Sequence, residues 1–243
     1  IRHQWMMLLV KIAKDKYFRT KQITSFPESV THSFEKHFDS FINQFDHHKW
    51  RQQRYYNELV DNVLKAYAPI YDAVFKSWAP QKIIGRESNW MWLEEFTSIC
   101  NALMDSDFPV KEIPTIYSLS MRTQTDEINR DNHINMRFPE FLEAFARFAD
   151  RLSPVPIGEN KLEWSMQQRS EQHLSTKLES LIPSMMKLIK HPDYRVVKDK
   201  FTLPVRDEES GLLVVDYGNQ FYGKLIPMPR SKKRKTTRGP TTV

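Results

Sequence analysis

The chain has 243 residues, 40% of them hydrophobic and 27% charged, with a formal net charge of +6. This is enough material for a sizeable core in one or two domains, and no apolar run approaches the roughly 18 residues of a membrane span. A single cysteine, Cys100, excludes an internal disulfide and a cysteine-based zinc cluster and points to a reducing compartment and a buried packing role. The excess charge is local. Arg230, Lys232, Lys233, Arg234, Lys235 and Arg238 stand in the last fourteen residues, which hold no acid. Removing these six from the 36 basic residues leaves 30, against 30 acidic ones. The body is therefore neutral and the tail basic. A nucleic-acid groove along the body is not predicted; contact between the tail and an acidic surface is.

In chain order, residues 1–20 form an amphipathic helix in which Trp5, Leu9, Ile12 and Ala13 share a stripe. Ser25 and Glu28 have the spacing of a capping box, with Pro27 in the first turn. Val30, Phe34, Phe38, Phe41 and Phe45 continue it as one strong amphipathic helix that ends near Asp46. A second helical region runs from Trp50 to Trp78. Its stripe is Tyr56, Leu59, Val60, Val63, Leu64 and Tyr67, and Pro69 breaks or kinks it. Residues 21–68 thus read as a helical connector. His47 and His48 are adjacent, point apart on a helix and do not share a metal.

Two later stretches repeat one layout. In Asn129 to Asp150 a polar loop carries Met136 at its eighth position and Glu140 at its twelfth, and Phe141, Phe145 and Phe148 then line one helix face with Glu143, Arg147 and Arg151 on the other side. In Ile84 to Leu103, Met91, Glu95 and Phe96 occupy the same places. Gln4 to Tyr17 aligns without a gap on Glu140 to Ser153, pairing Trp5 with Phe141, Leu9 with Phe145 and Ile12 with Phe148. Self-similarity at this level is an architectural signal. Ile70 to Trp78 and Thr115 to Ile128 are the helices that enter the two loops, with Ile116, Leu119 and Met121 facing in. Pro109 and Pro114 bracket the connection between the units.

Beyond residue 153, Pro154 to Gly158 marks a linker, placed at 154–160. A long helix follows over 161–192, with Leu174, Leu178, Leu181, Met185 and Leu188 in a heptad-like stripe and Pro183 as a kink. The stripe packs back on the body or grips a partner, the former being favoured. Residues 193–243 read as an extended arm, with a small hairpin near Leu212 to Val215, ending in the basic tail.

The loop-and-helix layout resembles the EF-hand family, with residues 69–153 as a degenerate pair and residues 1–20 as the exit helix of a truncated upstream unit. The fold expected is all-α: a degenerate EF-hand pair plus extra amphipathic helices, with an extended C-terminal arm. Calcium in such a loop takes six to eight oxygens, with Gly at position six. Asn129, Asp131, Asn135 and Glu140 are the weak candidate ligands, but Ile134 replaces the Gly; in the other loop Ile84 and Arg86 occupy ligand positions. The reading is of a fold kept for packing with its metal lost. Calcium at the Asn129 loop stays open as an alternative.

No Gly-rich phosphate loop, nucleophile elbow or spaced acid pair is present, and no enzyme is expected. The stretches around the loops resemble divergent EF-hand proteins of protist cilia and flagella. That implies a structural component of the axoneme, part of a larger assembly, with tubulin or axonemal proteins as partners. Candidate partner-binding residues are Trp90 and Trp92 beside the first loop and the six basic tail residues. The alternatives are a calcium-responsive adaptor and a nuclear or nucleic-acid-associated protein directed by KKRK.

Overall fold

The computed structural model describes residues 2–42, 47–79, 90–105, 108–121, 134–190 and 201–215. They are helical, as expected, with two isolated β-bridges and no longer strand among them. No helix is long and apolar enough to cross a membrane among these residues.

The first unit is a hairpin of α1 (Arg2–Ala13) and α2 (Phe26–His37), joined through a π-helical turn, Lys14–Phe18. Leu9, Ala13 and Tyr17 are buried on one side and Ser29 and Ser33 on the other. The two serines carry the buried face of α2, whereas the apolar stripe Val30, Phe34 and Phe38 is only half-buried. Ser25 does cap α2 by position, but its side chain makes no capping hydrogen bond. The single helix read through Phe45 instead breaks at Phe38, and α3 covers Asp39–Ile42. The ungapped alignment of α1 with the later helix holds in type but not in environment. Trp5 and Ile12 are 55% and 48% exposed, whereas Phe141 and Phe148 are fully buried.

The main core begins with a short α4 (His47–Trp50) continued by a π-helical turn, Arg51–Tyr55. Next come α5 (Glu58–Ala66) and α6 (Ala68–Trp78). Asn57 caps α5 by accepting from the Val60 N–H at 3.0 Å. Pro69 falls in the first turn of α6, where its missing N–H costs nothing, so the break predicted there is a new helix start. Tyr56 and Leu59, read as core, are exposed; Val60, Val63, Ala66 and Tyr67 carry the buried face. Then follow α7 (Leu93–Leu103), α8 (Ile113–Ser120) and α9 (Phe138–Leu152). Pro114 lies inside the first turn of α8 rather than bracketing a connection, and Ile116 and Met121 face in as expected.

The long helix read over 161–192 is two. α10 covers Met166–Glu171 and α11 covers Leu174–Lys187. Ser165 and Gln168 form a reciprocal capping box on α10, and His173 caps α11 through its Nδ1. Each is a start signal, and together they divide the segment. Pro183 stays within α11 on an exposed turn. Leu174, Leu178, Leu181 and Met185 are buried in the same core as α5, α6 and α9, so the stripe packs back on the body.

Helix α9 is the axis of this core. Phe141, Ala144, Phe145, Ala146, Phe148 and Ala149 are all fully buried. Their rings meet Phe75 at 5.4 Å, Tyr71 at 5.6 Å and Phe108 at 5.2 Å between centroids, from Phe141, Phe145 and Phe148 respectively. Cys100 is buried in the same core, which pushes its thiol pKa up and leaves it a packing residue.

The arm is seen over 201–215. Arg206 and Leu213 form an antiparallel bridge around a turn in which Gly211 has a φ of 68°. It lies on this chain's own helices: the Asn62 side chain donates to the Leu213 carbonyl at 2.9 Å and accepts from its N–H at 2.7 Å. Arg206 also pairs with Glu179 at 2.6 Å, and Phe201 meets Tyr67 at 6.0 Å. The rest of the arm and the basic tail, residues 216–243, lie outside the described residues.

The environments of the aligned positions predict opposite outcomes. Phe141→Ala should cost about 3–5 kcal/mol and Trp5→Ala no more than about 0.5 kcal/mol, read as shifts of the urea midpoint at constant m. Equal losses would place α1 in a core that its exposure denies.

Candidate functional site

Two places bring polar groups together. The first is the pair of loops. Met91 and Met136, the eighth positions of the two repeated patterns, exchange backbone hydrogen bonds, Met91 N–H to the Met136 carbonyl at 2.8 Å and the reverse at 3.0 Å. Both side chains are fully buried. Tyr117 reinforces the pair from α8: its hydroxyl lies 2.9 Å from the Met91 carbonyl and 2.7 Å from the Ile134 carbonyl. Burial pushes its pKa up to about 12.

The twelfth positions also behave alike. Glu95 accepts from the Trp92 N–H at 2.9 Å and Glu140 from the Arg137 N–H at 3.1 Å, each capping the helix that follows. Of the candidate calcium ligands, Asn129 and Asp131 lie outside the described residues. Asn135 is half-buried and its side-chain oxygen accepts from Trp92 Nε1 at 2.8 Å; Glu140 is buried. Trp92 is 45% exposed and Trp90 half-buried, so the two flank the bridge on the loop surface. Among the described residues no group of three or more His, Cys, Asp or Glu is placed to hold a metal. The six basic tail residues lie outside the described residues.

The second place is an ionic cluster on the polar side of α9, and sequence reading missed it. Glu143 and Asp150 stand two turns apart and both are clamped by cations from other elements. Arg51 Nε lies 2.9 Å from both Glu143 oxygens, and Arg147 reaches the same carboxylate at 2.9 Å. Asp150 accepts from Arg54 at 2.6 Å, from Lys177 at 2.9 Å and from Trp50 Nε1 at 2.9 Å. The Arg147 guanidinium also stacks 4.1 Å from the Trp50 ring centre. Lys177 is 1% exposed and bonds the Asp150 and Ser170 carbonyls, placing a cation at the C-terminal ends of α9 and α10. The spacing of Glu143 and Asp150 was visible in the sequence, but the cations lie 27 or more residues from the carboxylates they pair with, except for Arg147.

Burial alone would raise the Asp150 pKa; the hydrogen bonds from Arg54, Lys177 and Trp50 overcome it and hold the carboxyl below its ordinary value. Burial lowers the pKa of Lys177 against the pull of Asp150, whose charge it shares with Arg54. Beside the cluster runs an open groove of about 970 Å³, lined by Trp50, Arg54, Lys111, Arg147, Arg151 and Lys177 among others. The body has equal numbers of acids and bases, yet five cations and two acids, Glu112 and Asp150, line this groove. Neutral overall composition did not reveal that concentration.

No protein-family model, no curated protein and no solved structure matches the chain.

Asp150 makes a prediction about acid. Its folded-state pKa is depressed, so its contribution is full above the unfolded value near 3.8 and is lost as pH falls through the lower folded value. Asp150→Asn should therefore cost about 3–5 kcal/mol at neutral pH, because it leaves buried cations uncompensated. It should also flatten the fall in stability below pH 4, followed by urea unfolding at several pH values. In the loops, Tyr117→Phe should cost about 1–3 kcal/mol by removing the hydroxyl shared between the Met91 and Ile134 carbonyls.

Proposed function

We propose that this chain is a non-enzymatic structural protein, a scaffold built on a degenerate EF-hand pair. We place it in the ciliary axoneme, where it binds microtubules or proteins associated with them. The observation that carries the reading is the mutual bridge between Met91 and Met136. Two copies of one unit related by a pseudo-twofold axis meet at equivalent positions. Here position eight meets position eight, both twelfth-position glutamates cap their helices, and the following Phe96 and Phe141 are both fully buried.

Two of the polar groups that a calcium ion would use have other work. Asn135 is held by Trp92 and Glu140 by the Arg137 N–H, while Ile84 and Arg86 supply no suitable oxygen to the first loop. This supports a pair kept for shape. The tail, with its six cations and no acid, supplies the electrostatic complement to an acidic filament surface. The axonemal setting itself rests on the resemblance of the sequence around the loops.

Calorimetric titration of the full chain should give no calcium heat up to millimolar concentration, with Glu140→Gln indistinguishable from the parent. Micromolar binding that disappears in Glu140→Gln would replace the scaffold with a calcium-responsive adaptor. Co-sedimentation with microtubules should be seen without calcium and should weaken when Lys232, Lys233 and Arg234 are changed to Gln.

A further inference from the structure

A second, smaller concavity opens beside the groove, and Arg151 lines both. It has a volume of about 280 Å³, with Phe108, Pro109, Leu152 and Met166 as apolar walls. Asp105, Arg151 and Arg169 are its charged residues. Arg169 comes from α10 and is only 8% exposed. Among the described residues its Nε has no hydrogen-bond partner, and its one side-chain hydrogen bond runs from Nη2 to the Met166 sulfur at 3.1 Å. Two described acids nearby are already committed. Asp105 pairs with Lys161 at 2.6 Å and Glu112 with Arg151 at 2.7 Å. A buried guanidinium without a carboxylate among the described residues is unfavourable, and buried charges in folded proteins are as a rule paired. The arginine fork matches a carboxylate in two parallel hydrogen bonds.

We propose that this pocket receives a glutamate or aspartate side chain of an acidic peptide segment belonging to a partner protein, with Arg169 as the buried anchor. The neighbouring groove, whose exposed cations are Lys111 and Arg151 while Arg54, Arg147 and Lys177 are held by Asp150 and Glu143, takes the rest of the segment. Charge complementarity selects an acidic chain over a basic or apolar one, and the apolar walls fit the methylene stem of the bound residue. The inference rests on the reading of the protein as a partner-binding scaffold and names the chemistry of one partner.

The test uses the full chain with Lys232, Lys233 and Arg234 changed to Gln, so that the tail does not mask the pocket. Binding of a fluorescein-labelled hexaglutamate peptide is followed by anisotropy. Arg169→Met should weaken binding at least about tenfold, as expected for loss of a charged hydrogen-bonding partner. It should also raise the melting temperature, because it removes an unpaired buried charge. Met166→Trp, at a 55% exposed position on the pocket rim, should block the peptide to a similar extent while leaving Arg169 in place. Inorganic phosphate at equal charge should compete poorly. Peptide binding that survives both substitutions, or no binding in this background, overturns the proposal, and so does phosphate competing as well as peptide. The scaffold reading is judged separately by microtubule co-sedimentation. A chain that co-sediments but ignores the peptide loses only the pocket, and a chain that binds the peptide through Arg169 without co-sedimenting loses only the microtubule partner.

Discussion

The burial of α9 on every side is the constraint from which the architecture follows. An amphipathic helix is ordinarily satisfied by covering one stripe. Here Phe141, Phe145 and Phe148 are covered by aromatic and aliphatic neighbours, and Glu143 and Arg147 on the polar side are no more than 8% exposed. Taking Glu143 and Asp150 out of water is costly unless each is paired and hydrogen-bonded. Arg51, Arg54, Trp50 and Lys177 meet that need. They come from the segment before α5 and from α11, so satisfying two carboxylates ties two separated parts of the chain to one helix. The large concave surface of the body lies along this seam, and its cationic lining is a by-product of the same pairing.

The loop pair depends on α9 as well. Glu140 closes the first turn of α9 while Met136, just before it, bridges to Met91, so the orientation of the helix and the position of the loop are set together. Tyr117 adds a third contact from α8, placing a buried hydroxyl between the two loop carbonyls. In this arrangement the loops hold each other through backbone and indole groups, and the helices that leave them are fixed by packing. A scaffold needs such a fixed geometry; a sensor needs two geometries of similar free energy.

Periodicity in the sequence was enough to find the helical class, the buried Phe ladder of α9, the return of the α11 stripe to the body and the equivalence of Met91 with Met136. These features depend on spacing within one element or on repetition. Features that depend on competition between elements were not legible. The periodicity of α2 points to its phenylalanines, but Ser29 and Ser33 are the residues it buries. Tyr56 and Leu59 fit a helical stripe but stand outside the cover that other helices provide. The division of the 161–192 segment was signalled by Ser165 and His173, yet the continuous leucine pattern outweighed those signals. The ionic cluster could not be found from local pattern because its directly bonded groups are up to 118 residues apart, as Arg54 and the Gln172 carbonyl are.

The most direct test of a fixed loop pair is amide hydrogen exchange at Met91 and Met136, measured by NMR with and without millimolar calcium. The account predicts slow exchange at both amides, matching that of the α9 core, with no change on adding the ion. Fast exchange at the two amides, or protection that shifts when calcium is added, would show that the loops open and would contradict a rigid scaffold.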